Sequence, residues 1–136
     1  MIITQTPLRI SFLGGNTDFP AYFKNHGGAV ITTTIDKYVY CIVKKRFDKE
    51  IWINYSIKEK VSQVDNIKHD LVREAMKLTG ITKGIEITFL SDIPSEGSGL
   101  GSSSAVVVGL LNALHAYKNE TATAKQLAEE ACMIEI

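Results

Sequence analysis

Cysteine, excess charge and long apolar runs are all scarce in this chain. It has only two cysteines, Cys41 and Cys132, far apart and each among apolar neighbours. That usage points to two buried thiols in a reducing compartment, and so to a cytoplasmic protein. Fifteen basic side chains balance fifteen acidic ones, for a net charge of zero. The balance argues against binding nucleic acid through bulk charge. No run reaches the roughly 18 apolar residues of a membrane span. The N-terminus, Met1 to Ile10, has no basic segment followed by a long apolar one, so it is not a signal peptide. What is present is ordinary for a globular protein, 45% apolar and 22% charged over 136 residues. That is one domain with room for a core.

The pattern along the chain mixes strands and helices. Leu8 to Leu13 reads as a strand, broken by Gly14-Gly15-Asn16-Thr17-Asp18. Asp18 is placed to cap a short helix from Phe19 to Asn25, with Pro20 in its first turn. Ala29 to Ile35 and Lys37 to Lys45 read as two strands, rich in β-branched and aromatic residues. A further strand covers Ile51 to Tyr55, and residues 56–66 carry no clear signal. Ile67, Leu71, Ala75 and Leu78 recur at helical spacing, which predicts a helix to Thr79 with Gly80 as its C-terminal cap. Gly84 to Leu90 reads as a strand, and Ser102 to Tyr117 as a helix. Thr123 opens a last helix, with Gln126 completing a capping box. That helix ends without a stop signal, and the natural polypeptide is expected to continue past Ile136. The apolar face of Ala128, Cys132 and Ile136 is then expected to be uncovered. One sheet, mostly antiparallel in its first half, is expected.

Between Pro94 and Ala105 the chain reads Pro-Ser-Glu-Gly-Ser-Gly-Leu-Gly-Ser-Ser-Ser-Ala. A glycine- and serine-rich loop thus opens straight into an apolar helix. Glycine lets the backbone approach a bulky ligand, and the first amides of a helix point outward with partial positive charge. The combination suits a phosphate. It is neither G-x-x-x-x-G-K-[ST], since it has no lysine, nor G-x-G-x-x-G, since position 102 is Ser. Amides, hydroxyls and a metal must therefore do the work, and a serine at the helix start suits Mg²⁺. The plainer reading is a flexible loop whose serines only cap the helix. Gly101 to Ala105 also resembles a loosened nucleophile elbow, but about ten residues including Pro94 separate it from its strand, which counts against a hydrolase.

The second motif is Pro7-Leu8-Arg9-Ile10-Ser11-Phe12-Leu13-Gly14-Gly15-Asn16-Thr17-Asp18. An arginine in a strand otherwise fit for burial needs a partner. The loop after it offers amides, an amide side chain, a hydroxyl and a carboxylate, an inventory that suits sugar hydroxyls. A turn closed on itself, with Arg9 at the surface, remains open. His26 and His69 read as surface residues outside any metal-ligand spacing. Trp52, Tyr38 and Tyr40 read as core or sheet surface, and Lys44-Lys45-Arg46 as a solvated strand end.

Taken together, the two motifs resemble those of the GHMP kinases, the superfamily of galactokinase, homoserine kinase, mevalonate kinase and phosphomevalonate kinase. Thr6 to Asp18 looks like the first family motif and Pro94 to Ala105 like the phosphate-binding second. Within the superfamily the sequence is most similar to sugar kinases that phosphorylate D-glycero-D-manno-heptose 7-phosphate at its anomeric position. Pro20-Ala21-Tyr22 and Thr34 to Tyr40 fit that picture. The third glycine usual in those kinases is Asn16 here, and the Gly-Glu-His of galactokinase-like members is Gly14-Gly15-Asn16.

The resemblance implies an α/β (α+β) fold of the ribosomal protein S5 domain 2-like type. It is a mixed sheet with helices on one face and a left-handed β-α-β crossover, against the usual hand. It implies that residues 1–136 are the N-terminal, ATP-binding domain of a two-domain kinase. The partner C-terminal domain of the same polypeptide, with the catalytic aspartate and third motif, would lie outside the chain. This piece alone is expected to be inactive. Gly97, Ser98, Gly99, Leu100, Gly101, Ser102, Ser103 and Ser104 would wrap the phosphates of ATP, with Ser103 helping to hold Mg²⁺. Arg9 would be the catalytic residue, stabilising charge at the reacting centre. Gly15, Asn16, Thr17 and Asp18 would line the site for a sugar or sugar phosphate. No nucleic acid or membrane partner is expected, and a homodimer is compatible. The alternatives are another GHMP small-molecule kinase, galactokinase- or mevalonate kinase-like, or a non-catalytic S5-like binding domain.

Overall fold

The computed structural model describes residues 1–94 and 97–135. Its strands are β1 (Ile2–Leu13), β2 (Ile31–Lys45), β3 (Ile51–Asn54), β4 (Lys58–Val61) and β5 (Ile85–Ser91). They form one sheet in the order β1-β2-β5-β3-β4. All neighbours are antiparallel except β3 and β5, which run parallel. The helices are α1 (Pro20–His26), α2 (Asp70–Thr79), α3 (Ser102–Tyr117) and α4 (Ala124–Glu135).

The period-2 pattern decides which face is covered. Cys41, Val43, Ile51, Ile53, Ile85 and Ile87 point inward and are buried in one cluster with Val72 and Met76 of α2, Val107, Leu110, Leu111 and Leu114 of α3, and Leu127 and Ala131 of α4. The chain therefore has the mixed sheet with helices packed on one face that the sequence implied. Helix α3 crosses β1 closely enough that the Thr4 hydroxyl donates to the Gly109 carbonyl at 2.8 Å. A Cβ at Gly109 would lie 2.6 Å from the Thr6 hydroxyl, so only glycine permits this approach.

The opposite face carries a charged ladder. Trp52 lies under the Arg46 guanidinium, 3.8 Å from ring centre, with the Lys60 and Lys58 ammonium groups at 4.3 and 4.5 Å. Arg46 was expected in a solvated strand end but is buried. It is paired with Asp48 at 2.7 Å and Glu86 at 3.1 Å, which is what lets its charge leave water.

Several boundaries differ from the sequence pattern for local reasons. The expected strands on either side of Asp36 are one strand, β2. The break marks a bulge, where pairing jumps from Pro7–Tyr38 to Arg9–Thr34. Residues 56–66, without signal in the sequence, hold β4 and a 3₁₀ turn at Val64–Asn66. Helix α2 starts at Asp70, not at Ile67, because His69 is extended. Gly80 caps α2 in the left-handed conformation, as expected. Helix α1 starts at Pro20, and Phe19 occupies the capping position with no side-chain cap, so Asp18 is not the cap. Thr123 does cap α4, accepting from the Gln126 amide at 3.1 Å, but the Gln126 side chain turns to Glu130. Cys41 is buried and its thiol pKa is pushed up to about 12, whereas Cys132 is exposed, against expectation. Ala128 is exposed too, and Ile136 lies outside the described residues.

His115 pins the α3–α4 corner. Its ring nitrogens lie 3.0 Å from Glu120 and 2.8 Å from Glu130. Burial pulls its pKa down, but the bonds and charges of Glu130 and Glu120 outweigh this and raise it overall. The same contacts hold both glutamates low, for Glu130 against its own burial. A raised His pKa stabilises fully below the unfolded value of 6.5 and is lost as pH rises through the folded one. Lowered Glu pKa values stabilise above the unfolded value of 4.5 and are lost on acidification. The clamp is therefore strongest between these limits. Thermal unfolding followed from pH 5.5 to 8.5 should show stability falling with pH, and the fall should flatten in His115→Gln.

Candidate active site

The site begins where the two glycine motifs meet. The amide of Arg9, beside the bulge in β2, donates to the Leu100 carbonyl at 3.0 Å. An added Cβ at Gly101 would sit 3.0 Å from Arg9 Nε and 3.3 Å from Cζ, so the guanidinium stem lies across the glycine. Gly97, Gly99 and Gly101 have φ of 71°, 66° and 72°, the left-handed region that glycine occupies without penalty. The loop winds through these three and enters α3 with Gly101 as the capping residue and no side-chain cap. The leading end of α3, with its partial positive charge, is thus left to solvent or a ligand. Ser98 and Ser102 bridge hydroxyl to hydroxyl at 3.1 Å, and Ser98 also accepts weakly from the Leu100 amide at 3.4 Å. Ser103 is exposed. Ser104 donates to the Glu135 carboxylate at 2.9 Å.

On the other side of Arg9 a cavity of about 410 Å³ opens, lined by Arg9, Ser11, Gly15, Asn16, Asp18 and Thr32 among others. Arg9 belongs to this cavity and to the loop contact at once. Asn16 has φ 70°, a conformation that asparagine tolerates better than other non-glycine residues. Thr17 turns elsewhere. Its hydroxyl donates to the carbonyls of Gly14 (2.7 Å) and Ala29 (3.0 Å) and accepts from the Ala29 amide (3.2 Å). The cavity thus gathers Gly15, Asn16 and Asp18, while Thr17 staples the loop from behind.

A third element had no sequence signal beyond scattered aromatics. A cavity of about 460 Å³ beside the loop is lined by Tyr55, His69, Phe89, Ser91, Ile93 and Ser102, with other apolar residues. Tyr55 meets His69 edge-on at 4.8 Å between ring centres, and His69 stacks on Phe89 at 6.1 Å. His69 is therefore a wall of this cavity, not the surface residue expected, and burial outweighs the Glu59 charge to lower its pKa. The cavity has aromatic and aliphatic walls and reaches the start of α3 at Ser102.

The sequence profile described as the GHMP kinases N terminal domain matches residues 66–136. The chain belongs to the GHMP kinase family. The D-glycero-alpha-D-manno-heptose 7-phosphate kinase of Campylobacter jejuni is 34% identical, over 98% of this chain and 43% of that protein. A solved D-glycero-D-manno-heptose 1-phosphate kinase from Bacteroides thetaiotaomicron superposes with a TM-score of 0.84 at 26% identity, over 98% of this chain and 47% of that one. The Streptococcus pneumoniae phosphomevalonate kinase, solved with phosphomevalonate and AMPPNP, superposes at 0.77 with 20% identity over 98% and 42%, a likeness of fold. The chain spans less than half the length of these relatives. GHMP kinases use ATP as co-substrate, and the mixed-sheet fold of the family is the one found here. No helix among the described residues is long and apolar enough to cross a membrane.

Gly14 and Gly15 allow a matched test of the loop. A Cβ at Gly14 would fall 1.9 Å from the Ala29 carbonyl oxygen with φ at 87°, while a Cβ at Gly15 meets nothing within 4 Å. Denaturant unfolding should show Gly14→Ala destabilised by about 2–5 kcal/mol from strain and overlap. Gly15→Ala should stay within about 0.5 kcal/mol of the unsubstituted chain.

Proposed function

We propose that this GHMP kinase domain binds ATP and supplies half of the active site of a sugar kinase. Its acceptor is the anomeric hydroxyl of D-glycero-D-manno-heptose 7-phosphate. One observation carries the reading: Arg9 lies across Gly101 of the phosphate loop and also lines the cavity of Gly15, Asn16 and Asp18. A cation shared by an anion loop and a polyol-suited cavity sits where a phosphoryl group would pass between them. The names of the two heptose phosphate kinases support the choice of sugar.

In this reading the base enters the cavity of Tyr55, His69 and Phe89, where stacking on rings is sequence-tolerant and favourable. The triphosphate follows Gly97, Ser98, Gly99, Leu100 and Gly101 to the amides of Ser102, Ser103 and Ser104. The donors near the start of α3 fit Mg²⁺, being serine hydroxyls and the Glu135 carboxylate, all hard oxygens. Among the described residues no group of three acidic, His or Cys side chains could cage a metal alone, which suits an ion held partly by phosphates and water. Ser103, or Ser104 with Glu135, would hold it, and the ion would neutralise phosphate charge. Arg9 would stabilise the equatorial oxygens of the transferred group. Asp18, exposed on the cavity rim, would orient the acceptor hydroxyl. Thr17 supports from behind through its backbone bonds.

Titration calorimetry of the chain with Mg·ATP should show binding, and Gly101→Val should weaken it at least tenfold. The substitution forces a β-branched residue to φ 72° against Arg9. In a protein of the relatives' length carrying this sequence, ADP release should be supported by heptose 7-phosphate over galactose and mevalonate. There Asp18→Ala should raise the sugar KM and lower kcat while leaving nucleotide affinity within about twofold. Loss of ATP affinity with unchanged sugar kinetics would reverse the assignment of the two sides.

A further inference from the structure

Glu59 is a buried carboxylate on a strand that touches neither the glycine loop nor the Arg9 cavity. It sits on β4, 6% exposed, with its carboxylate turned inward. A buried carboxylate is costly unless its oxygens are fully used. These are used: one oxygen accepts from the Tyr55 hydroxyl at 2.7 Å and the His69 amide at 3.1 Å, the other from the Lys68 amide at 2.7 Å. The three donors come from two different places in the chain. Tyr55 follows β3, while Lys68 and His69 lead into α2. Their only common acceptor is Glu59.

Two of those three residues, Tyr55 and His69, are the facing rings of the 460 Å³ cavity. Glu59 takes the amides of His69, the capping residue of α2, and of Lys68 before it, and so anchors the entry to α2. Without it the two amides and the hydroxyl would be left to find water, and both rings would be free to leave their edge-on contact. The arrangement of Tyr55 edge-on to His69, with His69 stacked on Phe89, is therefore held from outside the cavity.

We propose that Glu59 is a positioning residue for the nucleotide base: it holds the Tyr55 and His69 rings edge-on against each other and so fixes the aromatic wall against which a base would lie. The inference rests on the nucleotide reading above and adds a residue that the ligand never touches.

The test separates base from phosphate. Calorimetry is run on the chain with Mg·ATP and with Mg·tripolyphosphate, which has the phosphates and no base. In Glu59→Ala and Glu59→Gln, ATP affinity should fall roughly tenfold or more, with tripolyphosphate affinity unchanged. Glutamine keeps one acceptor but presents its NH₂ to the Lys68 amide, so its loss should be the smaller. Tyr55→Phe, which removes one hydroxyl and leaves the ring, should weaken ATP severalfold and decides the matter if Glu59→Ala does not fold. Equal losses for both ligands, or an unchanged ATP affinity in folded variants, would overturn the inference. Failure of the unsubstituted chain to bind either ligand would overturn the nucleotide reading itself, and the inference with it.

Discussion

The bond from the Arg9 amide to the Leu100 carbonyl joins the two motifs that carry this site. It is made possible because β1 is the edge of the sheet, with its outer side open to the glycine loop. The loop in turn can come this close only because Gly101 has no side chain to meet the Arg9 stem. The open sheet edge and the missing Cβ in the loop are thus complementary parts of one contact.

Around this contact the core works as a rigid backing. Helix α3 is buried along most of its length against the inward strand residues, and Gly109 lets it settle onto β1. The start of α3 is held in place by packing, not by a cap, which leaves its first amides free. Helix α4 returns along α3 and is fixed at its middle by Glu130 on His115 and at its C-terminal end by Glu135 on Ser104. A residue in the phosphate region and a titratable corner therefore share one short helix.

Strong local patterns in the sequence specify most of this. Helix α3 was legible to the residue, because a glycine-serine loop, a long apolar run and a tyrosine end leave no competing register. The glycine-serine loop and the Arg9 loop were legible as motifs, since each concentrates residues that serve little purpose in a plain turn, and the structure brings the two together. What escaped is what depends on distant partners. The burial of Arg46 needs Glu86, forty residues away, and no local pattern announces it. His69 looked like a surface residue because its neighbours Lys68 and Asp70 are charged; its place in the cavity follows from Tyr55, Glu59 and Phe89 on other strands. The backbone partners of Thr17 were not legible either. A hydroxyl in a polar loop suits a sugar, but here the backbone had already claimed it. Glu135, near the end of the chain, had no signal at all, because its partner Ser104 is set by how two helices lie against each other.

The single tryptophan stands apart from all of this. Trp52 lies on the sheet face away from the helices, under Arg46 and flanked by Lys58 and Lys60. Three cations hold its indole in a fixed electrostatic field for as long as β3, β4 and the Arg46 corner are intact. Its emission should therefore shift when the sheet comes apart and stay still when a ligand enters the loop. The molecule carries its own optical gauge of folding, blind to occupancy.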